Sequence, residues 1–155
     1  MTTTPNLRQN VPSPIQRRSS PSVSVFWLNV DRVRACLRQA VERLAQSHPE
    51  IEEVWLFGSL ARGDAVPGSD ADLLVMLSGS QEAFLDRSVR YQPDFCGIGV
   101  DVLAYTRDEV TQMEAEGNRL LRQAMAEGVC LFRRLGKAGP AGEDRDTTGQ
   151  AEVKG

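Results

Sequence analysis

The chain has 155 residues, 41% of them apolar and 25% charged, the make-up of one soluble globular domain. Its longest apolar run, Leu73-Leu74-Val75-Met76-Leu77, is far short of the roughly 18 residues that span a bilayer, and no apolar stretch near Met1 could form the core of a secretory signal. Membrane and secreted classes are set aside and a cytoplasmic protein is expected. The formal charge of −3 is unevenly placed. Residues 1–30 hold Arg8, Arg17 and Arg18 and no acid, a charge of +3, while the other 15 basic and 21 acidic residues leave −6 on the rest. An acidic body argues against nucleic acid as a partner, since phosphates are met by clustered Lys and Arg.

Residues 1–25 are rich in Ser, Thr and Pro and poor in large apolar groups, so a disordered basic arm is expected. Residues 26–134 carry the pattern of one folded domain, and 135–155 read as a second disordered tail. Val33, Leu37, Ala40, Val41 and Leu44 share one helical face. Asn29 or Asp31 can cap that helix, and His48-Pro49 ends it. Ile51 to Phe57 reads as a buried strand closed by Gly58, and Gly63, Asp64, Pro67 and Gly68 form turn chemistry. A strand over Asp70 to Leu77, a helix over Gln81 to Arg90 and a strand over Gly99 to Tyr105 follow. Thr106 and Glu109 match a capping box opening a helical region that Gly117-Asn118 divides. Val129 to Phe132 is a last strand. The fold class is α/β of the α+β type.

Cys36, Cys96 and Cys130 are odd in number and widely spaced, so three reduced, packed thiols are expected. Arg34, Arg38 and Glu42, at i, i+4 spacing, read as a solvated helix face. His48 reads as a helix-end dipole partner. Trp55 and Phe57 belong to the core. Tyr91 and Tyr105 suit either the core or stacking on a base.

The chemistry concentrates in three acids and one glycine turn. Asp70 and Asp72, two apart at the head of a strand, project from one face. Asp101 interrupts the apolar run Gly99-Val100-Asp101-Val102-Leu103 and joins that face if the two strands are neighbours. Carboxylates so close repel, and hard divalent cations such as Mg²⁺ relieve that repulsion while bridging to phosphates. Upstream, Gly58-Ser59-Leu60-Ala61-Arg62-Gly63 follows a strand; Gly58 permits close approach of a phosphate, Ser59 adds a hydroxyl and Arg62 a cation. A surface pair with Asp64 is the alternative for Arg62. A P-loop is ruled out, because Asp64-Ala65 stands where Lys-Ser/Thr is required. Gly97-x-Gly99 lacks the third glycine of a dinucleotide fingerprint.

Gly58-Ser59, ten residues, then Asp70-Ala71-Asp72 resembles the GS-x10-DxD pattern of the DNA polymerase beta-like nucleotidyltransferase superfamily. Leu56 to Gly63 and Ser69 to Val75 are similar to its minimal (MNT) branch, Val100-Asp101-Val102 to the strand of its third carboxylate, and Glu127 to Phe132 to the domain's close. The resemblance spans about residues 51–134. It implies a small mixed sheet with helices packed on it and transfer of a nucleoside monophosphate, AMP from ATP, to a hydroxyl. It further implies that Asp70, Asp72 and Asp101 bind two Mg²⁺, that Asp101 helps deprotonate the acceptor, and that Gly58, Ser59, Arg62 and Ser69 contact the nucleotide. Minimal members act as antitoxins that adenylylate a tyrosine of a HEPN-type toxin, which implies such a partner here. Against larger members, no extra helical domain of the sort that grips an acceptor is expected here. Transfer to tRNA or a small molecule, or a binding module without catalysis, are the alternatives.

Overall fold

A computed structural model describes residues 12–136. Four strands, β3 (Ile51–Phe57), β4 (Ala71–Leu77), β5 (Val100–Thr106) and β6 (Val129–Arg133), form a mixed sheet in the order β5-β4-β3-β6. β3 runs antiparallel to both β4 and β6, whereas β4 and β5 are parallel. The parallel pair needs a crossover, supplied by α3 (Phe84–Arg90). This is the small mixed sheet with packed helices that the sequence implied.

The two sheet faces bury different clusters. On one, α1 (Val30–Ser47) packs Val33, Leu37, Ala40, Val41 and Ala45 against Val54, Leu56, Leu73, Val75 and Val102. Asn29 caps α1, its side-chain oxygen accepting from the Arg32 N–H at 3.0 Å. At the far end Arg134 donates to the Ala45 carbonyl at 2.7 Å, so the last strand's exit closes the first helix. On the other face α4 (Arg107–Ala115) and α5 (Arg119–Glu127) cover Phe57 and Leu74 with Val110, Leu121 and Ala124. Thr106 and Glu109 form the expected capping box, and the buried Arg87 of α3 donates to Glu109 at 2.6 Å. Among the described residues no helix is long and apolar enough to cross a membrane.

Three expectations are corrected. Part of the supposedly disordered arm is a hairpin, β1 (Ile15–Ser19) paired antiparallel with β2 (Ser24–Leu28). Its prolines do not break the ladder: Pro14 precedes β1, and Pro21 sits in the turn closed by Ser20 N–H to Val23 O at 2.8 Å. Residues 1–11 and 137–155, the rest of the two expected tails, lie outside the described residues.

The cysteines are not three thiols. Cys36 on α1 and Cys96 before β5 are joined in a disulfide across 60 residues, leaving Cys130 free and half-buried. Linear spacing carried no sign of this, because the crossover is what brings the two Cα atoms to 5.8 Å. Nor is Arg34 simply solvated: its guanidinium reaches across to the turn after β3. Tyr91 is core, its hydroxyl donating to Glu50 at 2.9 Å, and Tyr105 packs tilted against Phe84 at 5.0 Å. His48 does end α1, where its ring meets Glu50 at 3.3 Å.

Candidate active site

β3 hands the chain to a four-residue turn of helix, α2 (Ser59–Arg62), through Gly58 at φ 72°, ψ −155°. That conformation is essentially confined to glycine. A second constraint acts at the same atom, since a Cβ on Gly58 would overlap the Asp72 carboxylate. The carbonyls from Gly58 to Ala61 are all engaged. Gly58 O accepts from the Arg62 N–H at 3.0 Å and Ser59 O from the Gly63 N–H at 2.9 Å. Arg34 then takes Leu60 O at 2.8 Å and Ala61 O at 2.7 Å. The first N–H groups of so short a turn have no partner within it and remain donors for an anion. No periodicity in the sequence singles out Arg34; its role exists only because α1 lies beside α2.

Asp72 sits at the start of β4, between two neighbours in register: Phe57 on β3 and Asp101 on β5. β4 and β5 are adjacent and parallel, so Asp101 does join Asp72. Asp70 stands just before the strand, held against Gly99, where a Cβ would overlap its carboxylate. The Ala71 N–H bonds Gly99 O at 2.9 Å and locks the two strand heads together. Burial raises the Asp72 carboxyl above its ordinary value, and the charges of Asp101 and Asp70 push the same way; Arg62 pulls it down. The three acids therefore share one electrostatic site.

That site opens into a cleft of about 450 Å³ lined by Asp72 and Asp101 together with Phe57, Val102, Leu103, Leu120, Ser88 and Gln92. Its apolar wall comes from β3, β5 and α5; Ser88 and Gln92 come from α3 and the turn after it. Gln92 is held by bonds to Ser88 O at 3.2 Å and Val100 O at 3.3 Å. Motif reasoning pointed to neither Ser88, Gln92 nor Leu120, because each reaches the cleft through the crossover or α5.

The remaining expected contacts divide. Arg62 is engaged by acids, Asp64 and Glu127, each at 3.3 Å, and those hydrogen bonds raise its pKa, Glu127 foremost. The surface-pairing role is thus present, with the guanidinium still near enough to Asp72 to influence it. Ser69 closes a turn, its Oγ accepting from the Val66 N–H at 3.0 Å.

Among the described residues, no three His, Cys, Asp or Glu side chains form a ready-made metal cage. The donor set nonetheless suits a hard cation: all three groups are carboxylates, and their mutual repulsion is a deficit of positive charge. Magnesium is commonly held by one or two carboxylates plus substrate phosphates, a mode that needs no preformed cage.

A family described as the nucleotidyltransferase domain matches residues 37–129, which include the turn at Gly58 and all three acids. The chain belongs to that family. Nucleotidyl transfer is accordingly its general activity. This nucleotidyltransferase domain is similar to a proposed nucleotidyltransferase from Sulfolobus solfataricus, with 26% identity and a TM-score of 0.48 over 68% of this chain and 84% of the other. It is also similar to a toxin–antitoxin structure with AMP-PNP, at 18% identity and a TM-score of 0.46 over 63% and 74% of the two chains. No curated protein matches it.

Proposed function

We propose that this nucleotidyltransferase moves AMP from ATP to a hydroxyl acceptor with the help of Mg²⁺. The observation that carries the reading is the register of Asp72 with Asp101 across parallel strands, at the mouth of a cleft and beside the glycine turn. In this reading the free N–H groups after Gly58 and the Ser59 hydroxyl grip the triphosphate tail, with Arg62 and Ser69 at its edge. Asp70, Asp72 and Asp101 hold two divalent cations. Bound with the nucleotide, Mg²⁺ neutralises phosphate charge and renders the α-phosphorus more electrophilic. Asp101, exposed at the cleft, accepts the proton of the incoming hydroxyl; that oxygen bonds to the α-phosphorus as the bond to pyrophosphate breaks.

The acceptor follows from the resemblance of Leu56 to Val75 to minimal nucleotidyltransferases: a tyrosine on a HEPN-type partner protein in the cytoplasm. The acidic body supports a protein acceptor over tRNA. Calorimetry with ATP, GTP, CTP and UTP plus Mg²⁺ tests the site, using wild type and an Asp70→Asn/Asp72→Asn variant. Magnesium-dependent binding of ATP, lost in the folded variant, is expected. Absence of binding by any of the four to folded wild type defeats the reading of a free-standing enzyme.

A further inference from the structure

The hairpin of β1 and β2 is a two-stranded sheet of its own, separate from the four-stranded one. Its base is anchored: Pro14 and Leu28 are buried, and the Asn29 N–H bonds Pro14 O at 2.9 Å. Beyond the base it is a ribbon with apolar groups on both sides. Val25 and Trp27 lie on one face, Ile15 and Phe26 on the other, and Val25 and Phe26 are 53% and 55% exposed. A lone hairpin is marginal in water, and this one presents aromatic surface on each side. Arg17 lies over the Phe26 ring at 5.8 Å, and neither it nor Arg18 has an acidic partner among the described residues.

The body offers a matching surface. On α3, Leu85 and Val89 stand one turn apart at 76% and 77% exposure, more open than any large apolar residue of the hairpin. Between them in sequence lies Asp86, exposed and without an ion-pair partner among the described residues. An apolar ridge beside an unpaired acid is the complement of an apolar ribbon face bearing an unpaired arginine, Arg18 beside Val25. The same complementarity holds for the whole chain, +3 over residues 1–30 against −6 over the rest.

We infer that the hairpin is a dimerisation arm: the face that carries Val25 and Trp27 in one copy docks on the Leu85–Val89 ridge of a second copy, with Arg18, the register partner of Val25, facing Asp86. A twofold axis lets each copy give its arm and receive the other's, so the face with Val25 and Trp27 and the α3 ridge are covered in one closed assembly. Because Ser88 of α3 lines the cleft, the arriving arm borders the partner copy's site.

Light scattering on the full chain across a concentration series tests this. Twice the 17.1 kDa chain mass is expected for wild type at high concentration. Val25→Ser/Trp27→Ser and Leu85→Lys/Val89→Lys should each raise the dimer dissociation constant about tenfold or more, as loss of central apolar anchors does. These side chains are exposed, and near-UV circular dichroism verifies that each variant is folded. Arg18→Glu should also weaken the dimer, and adding Asp86→Arg should restore it. A wild type that stays monomeric throughout overturns the proposal, whatever else the arm binds. So does a dimer that resists either the arm or the ridge variant.

Discussion

Replacing Asp72 by Asn should stabilise the ligand-free protein while removing its nucleotide chemistry. Asp72 and Asp101 are register partners on neighbouring strands, so their carboxylates lie about 5–6 Å apart. Two unit charges at that distance repel by about 3 kcal/mol at an effective dielectric near 20 and by less than about 1 kcal/mol in bulk water. Asp101 is exposed and Asp72 only half-buried, which places the net cost near the lower figure, about 1 kcal/mol. For a domain of this size that amounts to a rise in Tm of roughly 3–5 °C in Asp72→Asn. The sign with pH follows from the raised carboxyl. Its penalty is full where Asp72 is ionised in the fold, and it vanishes as pH falls through the raised value toward the ordinary 3.8. The advantage of the variant should therefore be present at pH 7 and close in acid. Thermal melts across pH, with and without Mg²⁺ and ATP, read both effects. Ligand should raise the Tm of wild type alone. A variant less stable than wild type at pH 7, or a gap that does not close in acid, would refute the argument.

Gly58→Ala should cost about 3 kcal/mol by denaturant unfolding, combining a backbone conformation foreign to alanine with overlap onto Asp72. An alanine tolerated within a few tenths of a kcal/mol would contradict that geometry. Arg34→Met leaves the Leu60 and Ala61 carbonyls without their side-chain donor; a loss of about 1–2 kcal/mol is expected, with weaker nucleotide binding that Arg34→Lys partly restores. Unchanged binding in Arg34→Met would detach that arginine from the glycine turn. Closing a 60-residue loop stabilises the fold by about 4 kcal/mol in the chain-entropy account, so reductant should lower the Tm of wild type and leave Cys36→Ala/Cys96→Ala unaffected. Mass spectrometry of the protein from its own cells reads the compartment: free thiols at both Cys36 and Cys96 agree with a cytoplasmic setting, an intact bond with an oxidising one.

Much of this protein is local and therefore legible in one dimension. The period of Val33, Leu37, Ala40 and Val41, the strand Ile51–Phe57 ending at a glycine, the Thr106–Glu109 box and the break at Gly117-Asn118 each depend on near neighbours along the chain. The pairing of a Gly-Ser turn with Asp-x-Asp was likewise written in linear spacing, because one strand and one return strand set that gap. What sequence left open was every contact made through the parallel crossover. It sets Asp101 beside Asp72, brings Cys96 to Cys36, and turns Ser88 and Gln92 into a cleft. Arg34 belongs to the same group, since a guanidinium 26 positions from its acceptors finds them only when α1 packs beside α2. The hairpin was hidden for a different reason: a Ser- and Pro-rich composition signals disorder only until register shows that the prolines stand outside the ladder. Periodicity records which face of an element is buried. Which elements share that face is decided by closing the sheet.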